Sequence, residues 1–326
     1  MRTRPELIEG GQTEAVPDVS VVVPAHNEFP SIELLAGRVR DVLDREGRTW
    51  ELIVVDDGSD DGTADALHRL RAEDPRFRAR ILRSRHGKSA ALRVGFAAAR
   101  GSIVVTMDAD LQDLPEELPT MLAGIEEQGF DVVQAWRKER NDPGFKVFAS
   151  WVFNSLCSAF SGLRLRDVNC GFKAMTRDAA RTLDLGADLH RFIPVLLHRR
   201  GFAVGEVSVR HARRAFGHSK YGVLRYFRGF NDLIGVVLLP RLLLGVAPLL
   251  APVAVVSFLG AVAFAVALGV MLALGHVGLL WETGLSALGL SVAGLLCLSL
   301  SLLSRTAFAE GQADRTRNVD VAESLG

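Results

Sequence analysis

Asp108-Ala109-Asp110 closes an apolar run, and Gln112 and Asp113 follow at once. Two carboxylates one residue apart, at the end of an extended strand, reach one hard cation and whatever that cation holds. A divalent ion so bound keeps open positions for phosphate oxygens and neutralises a departing diphosphate. A lone pair of this kind is more often a solvated loop, so its context decides. Val55-Asp56-Asp57-Gly58-Ser59 ends a second apolar run, and Asp61-Gly62-Thr63 leads from it into a helix. Pro24-Ala25-His26-Asn27-Glu28 ends a third. Their carboxylates and amides suit a base and ribose read by hydrogen bonds. Lys88, after Gly87, stands at a helix start, where the helix N-terminus helps it meet a phosphate.

These groups need a scaffold that delivers several strand ends to one edge. Val19–Pro24, Trp50–Asp56, Arg80–Leu82, Ser102–Met107 and Asp131–Ala135 read as strands. Ile32–Leu43, Thr63–Leu70, Lys88–Ala99 and Pro115–Glu127 read as helices between them. The alternation predicts an open α/β sheet, mostly parallel and Rossmann-like, with helices on both faces. Such sheets bind ligands at the carboxyl ends of their strands, where the acids cluster here. Beyond Arg137 the pattern loosens: helices at Phe145–Phe160 and Asp188–Arg199, a turn at Asp167–Lys173, and a strand at Ala203–Val209.

Lys+Arg and Asp+Glu both number 38 in 326 residues, a balance that argues against a nucleic-acid binder. Hydrophobic residues make up 48% and mean hydropathy is +0.20. The excess is concentrated: from Leu242 to Ser304 the only charged residue is Glu282. That length accommodates two membrane spans of about 20 residues each, near Val246–Leu272 and Thr283–Ser304. Arg225, Arg228 and Arg241 precede the first span and Arg305 follows the second. The connecting turn carries no Lys or Arg, so both ends are expected on the cytoplasmic side. Residues 1–17 carry no apolar signal-peptide core. The expected organisation is a flexible 1–17, a catalytic domain over 18–215, interfacial helices over 216–241, a hairpin over 242–304 and a loose polar cytoplasmic tail over 305–326. Cys157, Cys170 and Cys297 are scattered and form no CxxC, so free thiols are expected.

VVVPAHNE, IVVDDGSDDGT, HGKSAAL and TMDADLQDLPEE, in this order, resemble glycosyltransferase family 2 with the GT-A fold. VNCGFKAM, LHRFIPVL and RRAFGHSKYG extend the likeness to the polyprenyl-phosphate glycosyltransferases, the dolichol-phosphate mannosyltransferase-like group. The resemblance covers about residues 18–240, and the hairpin is similar to that of membrane-anchored bacterial members. It implies a nucleotide site lined by Pro24, Ala25, Asn27 and Glu28, with Asp56 on the base and Asp57 nearby. It implies Asp108 against the nucleotide sugar, and Mg²⁺ or Mn²⁺ held by Asp110 and Gln112 with Asp108. Arg137, Lys146, Ser150, Arg214, Ser219 and Lys220 would hold the lipid phosphate and the donor diphosphate. Lys146 stands where the family often has Arg. Asp167, His190 and Arg191 would lie beside the sugar.

A phosphate monoester has a second pKa near about 6, so the acceptor is largely dianionic and needs no general base. What it does need is cations holding two anions close and aligned. The run Arg210-His211-Ala212-Arg213-Arg214 meets that need, and equally suits anionic headgroups. The expected activity is that of a membrane-bound inverting hexosyltransferase of the cell envelope, acting on a nucleotide sugar and a polyprenyl phosphate. It would be a multi-pass protein of the cell membrane, its catalytic domain and both termini cytoplasmic. The reading also allows a homo-oligomer. Alternatives are a polysaccharide-building member of the same family, on the strength of Gln134-Ala135-Trp136-Arg137, and a non-catalytic nucleotide-sugar-binding membrane scaffold. A nicotinamide dehydrogenase is disfavoured, because no GxGxxG follows the first strand.

Overall fold

The computed structural model describes residues 16–138, 144–186, 189–212 and 321–325, with isolated positions between 234 and 289. The chain divides into two compact units. One comprises Met1–Ser150, Leu165–His218 and Val319–Gly326; the other comprises Trp151–Arg164 and Ser219–Asn318.

The first unit is built on a sheet whose central strands are β-branched and buried on both sides, as parallel strands under helices must be. β1 (Val19–Ala25) and β2 (Trp50–Asp56) are buried almost throughout. They pair in parallel, Val19 opposite Trp50 and Ala25 opposite Asp56, so Pro24-Ala25 and Asp56 end level at one edge. β4 (Ile103–Thr106) pairs in parallel on the other side of β1 and brings Asp108 to that edge. β3 (Phe77–Leu82) follows β2 in parallel. Chain order reverses between β1 and β4, the place where open α/β sheets form their ligand crevice.

Helices α1 (Phe29–Arg45), α2 (Thr63–Glu73), α3 (Lys88–Ala98) and α4 (Leu118–Glu126) connect these strands. α1 buries Ile32, Leu35, Ala36, Val39, Val42 and Leu43, the i, i+3, i+4 stripe of a helix with one face in a core. α5 (Gly144–Ser161) follows β5 (Val132–Arg137). Three elements depart from the expected pattern. Residues 173–176 form β6 (Lys173–Thr176), which runs antiparallel between β4 and β5 and leads into α6 (Arg177–Thr182). In place of one helix over Asp188–Arg199, the described residues form a 3₁₀ turn, Leu189–Phe192, and α7 (Ile193–Arg199) with Pro194 in its first turn. The expected loose tail instead ends in β8 (Val321–Leu325), antiparallel on the edge of β3. With β7 (Val204–Val209) the strand order is β7-β5-β6-β4-β1-β2-β3-β8.

Among the described residues no helix is long and apolar enough to cross a membrane; the expected hairpin and interfacial helices fall almost wholly outside them. Cys157 and Cys170 are free and buried, and Cys297 lies outside the described residues. Burial pushes the Cys170 thiol up to about 12, which keeps it unreactive.

At the opposite, amino end of the sheet, Glu51 on β2 is 1% exposed. Its Oε1 accepts from Ser20 Oγ at 2.6 Å and the Arg100 amide at 2.7 Å. Its Oε2 accepts from Arg78 Nη1 at 2.5 Å and Arg100 Nε at 3.0 Å. One carboxylate thus joins β1, β2, β3 and the turn after α3. Burial favours the neutral acid, but the bonds from Ser20, Arg100 and Arg78 outweigh it and hold the pKa below the ordinary 4.5. The folded state therefore binds this proton less readily than the unfolded chain. The stabilisation is fully present above about pH 4.5 and is lost as pH falls through the lowered folded pKa. Glu51→Gln should cost about 3 kcal/mol at neutral pH, and the difference from the parent should shrink in acid; urea midpoints between pH 3 and 7 measure both.

Candidate active site at the carboxyl edge of the sheet

The loops after β1 and β2 are laced together. Asn27 takes a left-handed conformation, φ 57°, and its amide donates to Ser59 Oγ at 2.8 Å. Its side chain exchanges two hydrogen bonds with Asp60, Nδ2 to Oδ1 at 2.7 Å and Asp60 amide to Oδ1 at 3.0 Å. The Glu28 amide meets Thr63 Oγ1 at 3.2 Å and the Phe29 amide meets Asp61 Oδ2 at 3.1 Å. The Asp57 amide returns to Ala25 O at 2.8 Å. Pro24, Ala25, Asn27, Glu28 and Asp56 therefore stand along one hydrogen-bonded rim.

The paired acids of β2 separate in their duties. Asp56 is buried; its Oδ1 accepts from the Ser59 amide at 3.1 Å and from Ser59 Oγ. Its Oδ2 is buried with no hydrogen-bond partner among the described residues, and burial raises its pKa. An orphaned acceptor of this kind implies an absent donor. Asp57 is spent on the backbone: Oδ1 accepts from the His86 amide at 2.6 Å and Oδ2 from the Gly87 amide at 2.8 Å. That clamp shapes the turn from which Lys88 opens α3. Gly58 is bound to this arrangement: its φ is 67°, and a Cβ there would lie 2.7 Å from the Ser84 carbonyl carbon.

Lys88 Nζ donates to Asp108 Oδ1. Behind it, Ser89 Oγ meets His190 Nδ1 at 3.0 Å and accepts the His190 amide at 3.1 Å. The 3₁₀ turn holding His190 and Arg191 is thereby fastened to the start of α3. The acids after β4 form a folded loop. Leu111 sits in the left-handed region at φ 62°, a strained choice for a leucine, between Asp110 and Gln112. The Gln112 amide donates to Asp110 Oδ1 at 3.2 Å, and the Asp108 amide donates to Asp113 Oδ2 at 3.1 Å. Asp113 is buried; burial first, then the Asp108 carboxylate, push its pKa up to about 7.

Arg137, read from the sequence as a phosphate ligand, has its fork on Asp167: Nε to Oδ2 at 2.7 Å and Nη2 to Oδ1 at 3.1 Å. Burial opposes its charge, but Asp167 more than offsets this and holds the guanidinium fully protonated. Asp167 is itself buried and its amide donates to Glu206 Oε1 at 3.1 Å. At the far rim, the Ala212 amide donates to Gln112 O at 3.0 Å, and His211 bridges antiparallel to Asp113. The basic run thus enters alongside the acidic loop. Arg214, Ser219 and Lys220 lie outside the described residues. Lys146 and Ser150 lie on α5, four residues apart in the chain.

Sequence reasoning assigned no role to Asp113, Lys173 or Glu206, and gave Gln134 one only in the polysaccharide-building alternative. The DxDxxD spacing could have marked Asp113, which supports the loop from beneath. The other three are recognisable only once β5, β6 and β7 are adjacent. Among the described residues no three His, Cys, Asp or Glu side chains come close enough to enclose a metal. Asp108, Asp110 and Gln112 nonetheless supply hard oxygen donors, the kind Mg²⁺ and Mn²⁺ take. Burial first, and then the neighbouring Asp108 and Asp110 carboxylates, disfavour charge on Asp113. The residues fit an ion that completes its shell with phosphate oxygens.

Residues 20–184 match the family model described as Glycosyl transferase family 2. Dodecaprenyl-phosphate galacturonate synthase of Rhizobium johnstonii is 36% identical over 228 residues, 69% of this chain and 68% of that protein. Undecaprenyl-phosphate 4-deoxy-4-formamido-L-arabinose transferase of Salmonella paratyphi B is 35% identical over 217 residues, 66% of each chain. The chain thus spans about two thirds of the length of these relatives. Glucosyl-3-phosphoglycerate synthase from Mycobacterium tuberculosis, crystallised with Mn²⁺, uridine diphosphate and phosphoglyceric acid, superposes with a TM-score of 0.52 at 26% identity. That match covers 69% of this chain and 78% of the other. The strand-end motifs, the sheet that carries them and the matched residues agree: the chain belongs to glycosyl transferase family 2.

Proposed function

We propose that the protein is a membrane-bound inverting glycosyltransferase that moves a sugar from a nucleotide diphosphate sugar to a polyprenyl phosphate. The relatives named for dodecaprenyl- and undecaprenyl-phosphate products support the acceptor class. The observation that carries the reading is the meeting, at one sheet edge, of the Asp56 orphan oxygen, Lys88, and the Asp108–Asp113 loop with the basic segment at Ala212 beside it.

Each group then has a task. Asp56 Oδ2 accepts the imino N–H of the base, and the Asn27–Asp60 clamp keeps that rim in place. Lys88 meets the donor diphosphate from the start of α3. Mg²⁺ or Mn²⁺, when bound by Asp108, Asp110 and Gln112, supplies positive charge against the leaving diphosphate. Arg214, Ser219 and Lys220, with Lys146 and Ser150, take the acceptor phosphate. Its dianionic oxygen attacks the anomeric carbon opposite the nucleotide, forming a C–O bond as the bond to the diphosphate breaks. No proton has to move, so the site needs alignment and positive charge rather than a base.

Two features support anchorage by a hairpin in the cell membrane, with the catalytic unit and both termini cytoplasmic. β7 and β8, the described strands that flank the apolar stretch in the chain, belong to one sheet. Val256, Leu259, Val262, Val266, Val270 and Leu274 recur at helical spacing and are 45–69% exposed, an apolar stripe suited to lipid.

The full-length protein, given undecaprenyl phosphate and a panel of UDP- and GDP-sugars, should form a polyprenyl monophosphosugar visible by lipid mass spectrometry. Asp110→Ala should lower turnover at least about 10²-fold at an unchanged melting temperature; near-parental turnover refutes the role given to Asp110. Asp56→Ala should raise the donor KM about tenfold with little change in kcat, the pattern of lost ground-state binding, and steady-state kinetics on the preferred donor reads it.

A further inference from the structure

Loop 166–171, which joins α5 to β6, enters none of the steps above, yet its backbone is held from every side. The Arg166 and Asp167 amides donate to Glu206 Oε1 at 2.8 and 3.1 Å. Gln134 Nε2 donates to Asp167 O at 3.0 Å and to Cys170 O at 3.1 Å. Lys173 Nζ donates to Cys170 O as well, and Thr106 Oγ1 donates to Gly171 O at 2.6 Å. Gln134 and Lys173 are fully buried, so these bonds face no competition from water. The loop cannot give way without breaking several of them together.

The rigid loop ends against Asp108. A Cβ on Gly171 would lie 2.7 Å from Asp108 Oδ1, 2.9 Å from its Cγ and 3.0 Å from its Oδ2. All three atoms belong to one carboxylate. Gly124 offers the contrast of an ordinary packing glycine, whose added Cβ would meet only the Val133 side chain. Lys88 Nζ donates to Oδ1, the same oxygen that the added Cβ would approach most closely.

We propose that loop 166–171 is a fixed backstop for Asp108 and that Gly171 is a positioning residue, setting the carboxylate at the donor diphosphate. The idea rests on the transferase reading, in which Asp108 faces the donor. A methyl group at residue 171 meets a backbone that cannot retreat and a carboxylate that can rotate. Asp108 is therefore the part that moves, and it leaves the position in which Lys88 meets it. Thr106 acts in the same direction, because its hydroxyl holds the Gly171 carbonyl against β4.

The test is a double-mutant cycle in the full-length protein. Gly171→Ala should melt with the parent and turn over about 10²-fold more slowly, the cost of misplacing a reacting-site group by about 1 Å. It should weaken binding of UDP, or of GDP if that base is preferred, titrated with Mn²⁺ by calorimetry. Gly171→Ala should add no further loss, in turnover or in nucleotide affinity, when Asp108 is already Ala. Thr106→Val should show a smaller loss that also vanishes in the Asp108→Ala background, and it decides the matter if Gly171→Ala does not fold. Parental turnover and affinity in these variants, or losses that multiply with Asp108→Ala, overturn the backstop. If the parent transfers no sugar to any lipid, the transferase reading fails, and the nucleotide titration alone still decides the role of Gly171.

Discussion

The structure depends on how negative charge is tolerated at the end of β4. Asp108, Asp110 and Asp113 are carried there by a strand that is buried along its length, and burial first, then the Asp108 carboxylate, raise the pKa of Asp113. Lys88 Nζ reaches Asp108 from α3. That cation is delivered by a relay: the Asp57 carboxylate grips the His86 and Gly87 amides, and those amides set the first turn of α3. A site with surplus carboxylate and one lysine in contact is prepared for a ligand that brings both a cation and further oxygens. A metal-bound diphosphate answers that description.

The acceptor poses the same problem from the other side. A lipid phosphate carries close to two charges at neutral pH and must approach a diphosphate of similar charge. Attraction alone would bind either anion; bringing both together needs cations fixed in direction. The fork of Arg137 is committed to Asp167 and stiffens the floor of the site. The bonding of Ala212 to Gln112 places the start of the basic run against the acidic loop. The loop after β4 and the start of the basic run are thus joined through the backbone, which suits a reaction whose catalysis is mostly alignment.

The parts legible in the sequence were those governed by local chemistry. β1, β2 and β4 announce themselves as β-branched runs ending in polar clusters, and DADLQD marks its own strand end. β3 was read short because Phe77-Arg78-Ala79-Arg80 hides its strand behind arginines, one of which is paired to the buried Glu51. β6 was missed because Lys-Ala-Met-Thr has little β preference and begins with a charge that is met in the interior by the carbonyl of Cys170. β8 was missed because five residues past a charged tail acquire a strand only from the waiting edge of β3. Asp57 and Arg137 had the right residue types, but their partners, backbone amides and Asp167, are set by tertiary contacts that spacing does not encode.

The account turns on whether the carboxylates after β4 and Lys88 share one nucleotide diphosphate. A structure of the full-length protein in a lipid nanodisc with Mn²⁺ and the preferred nucleoside diphosphate tests this directly. The account predicts manganese bridging Asp108, Asp110 and the diphosphate, with Lys88 drawn from Asp108 onto a phosphate oxygen. A nucleotide bound elsewhere, with the Lys88–Asp108 contact undisturbed, would contradict it.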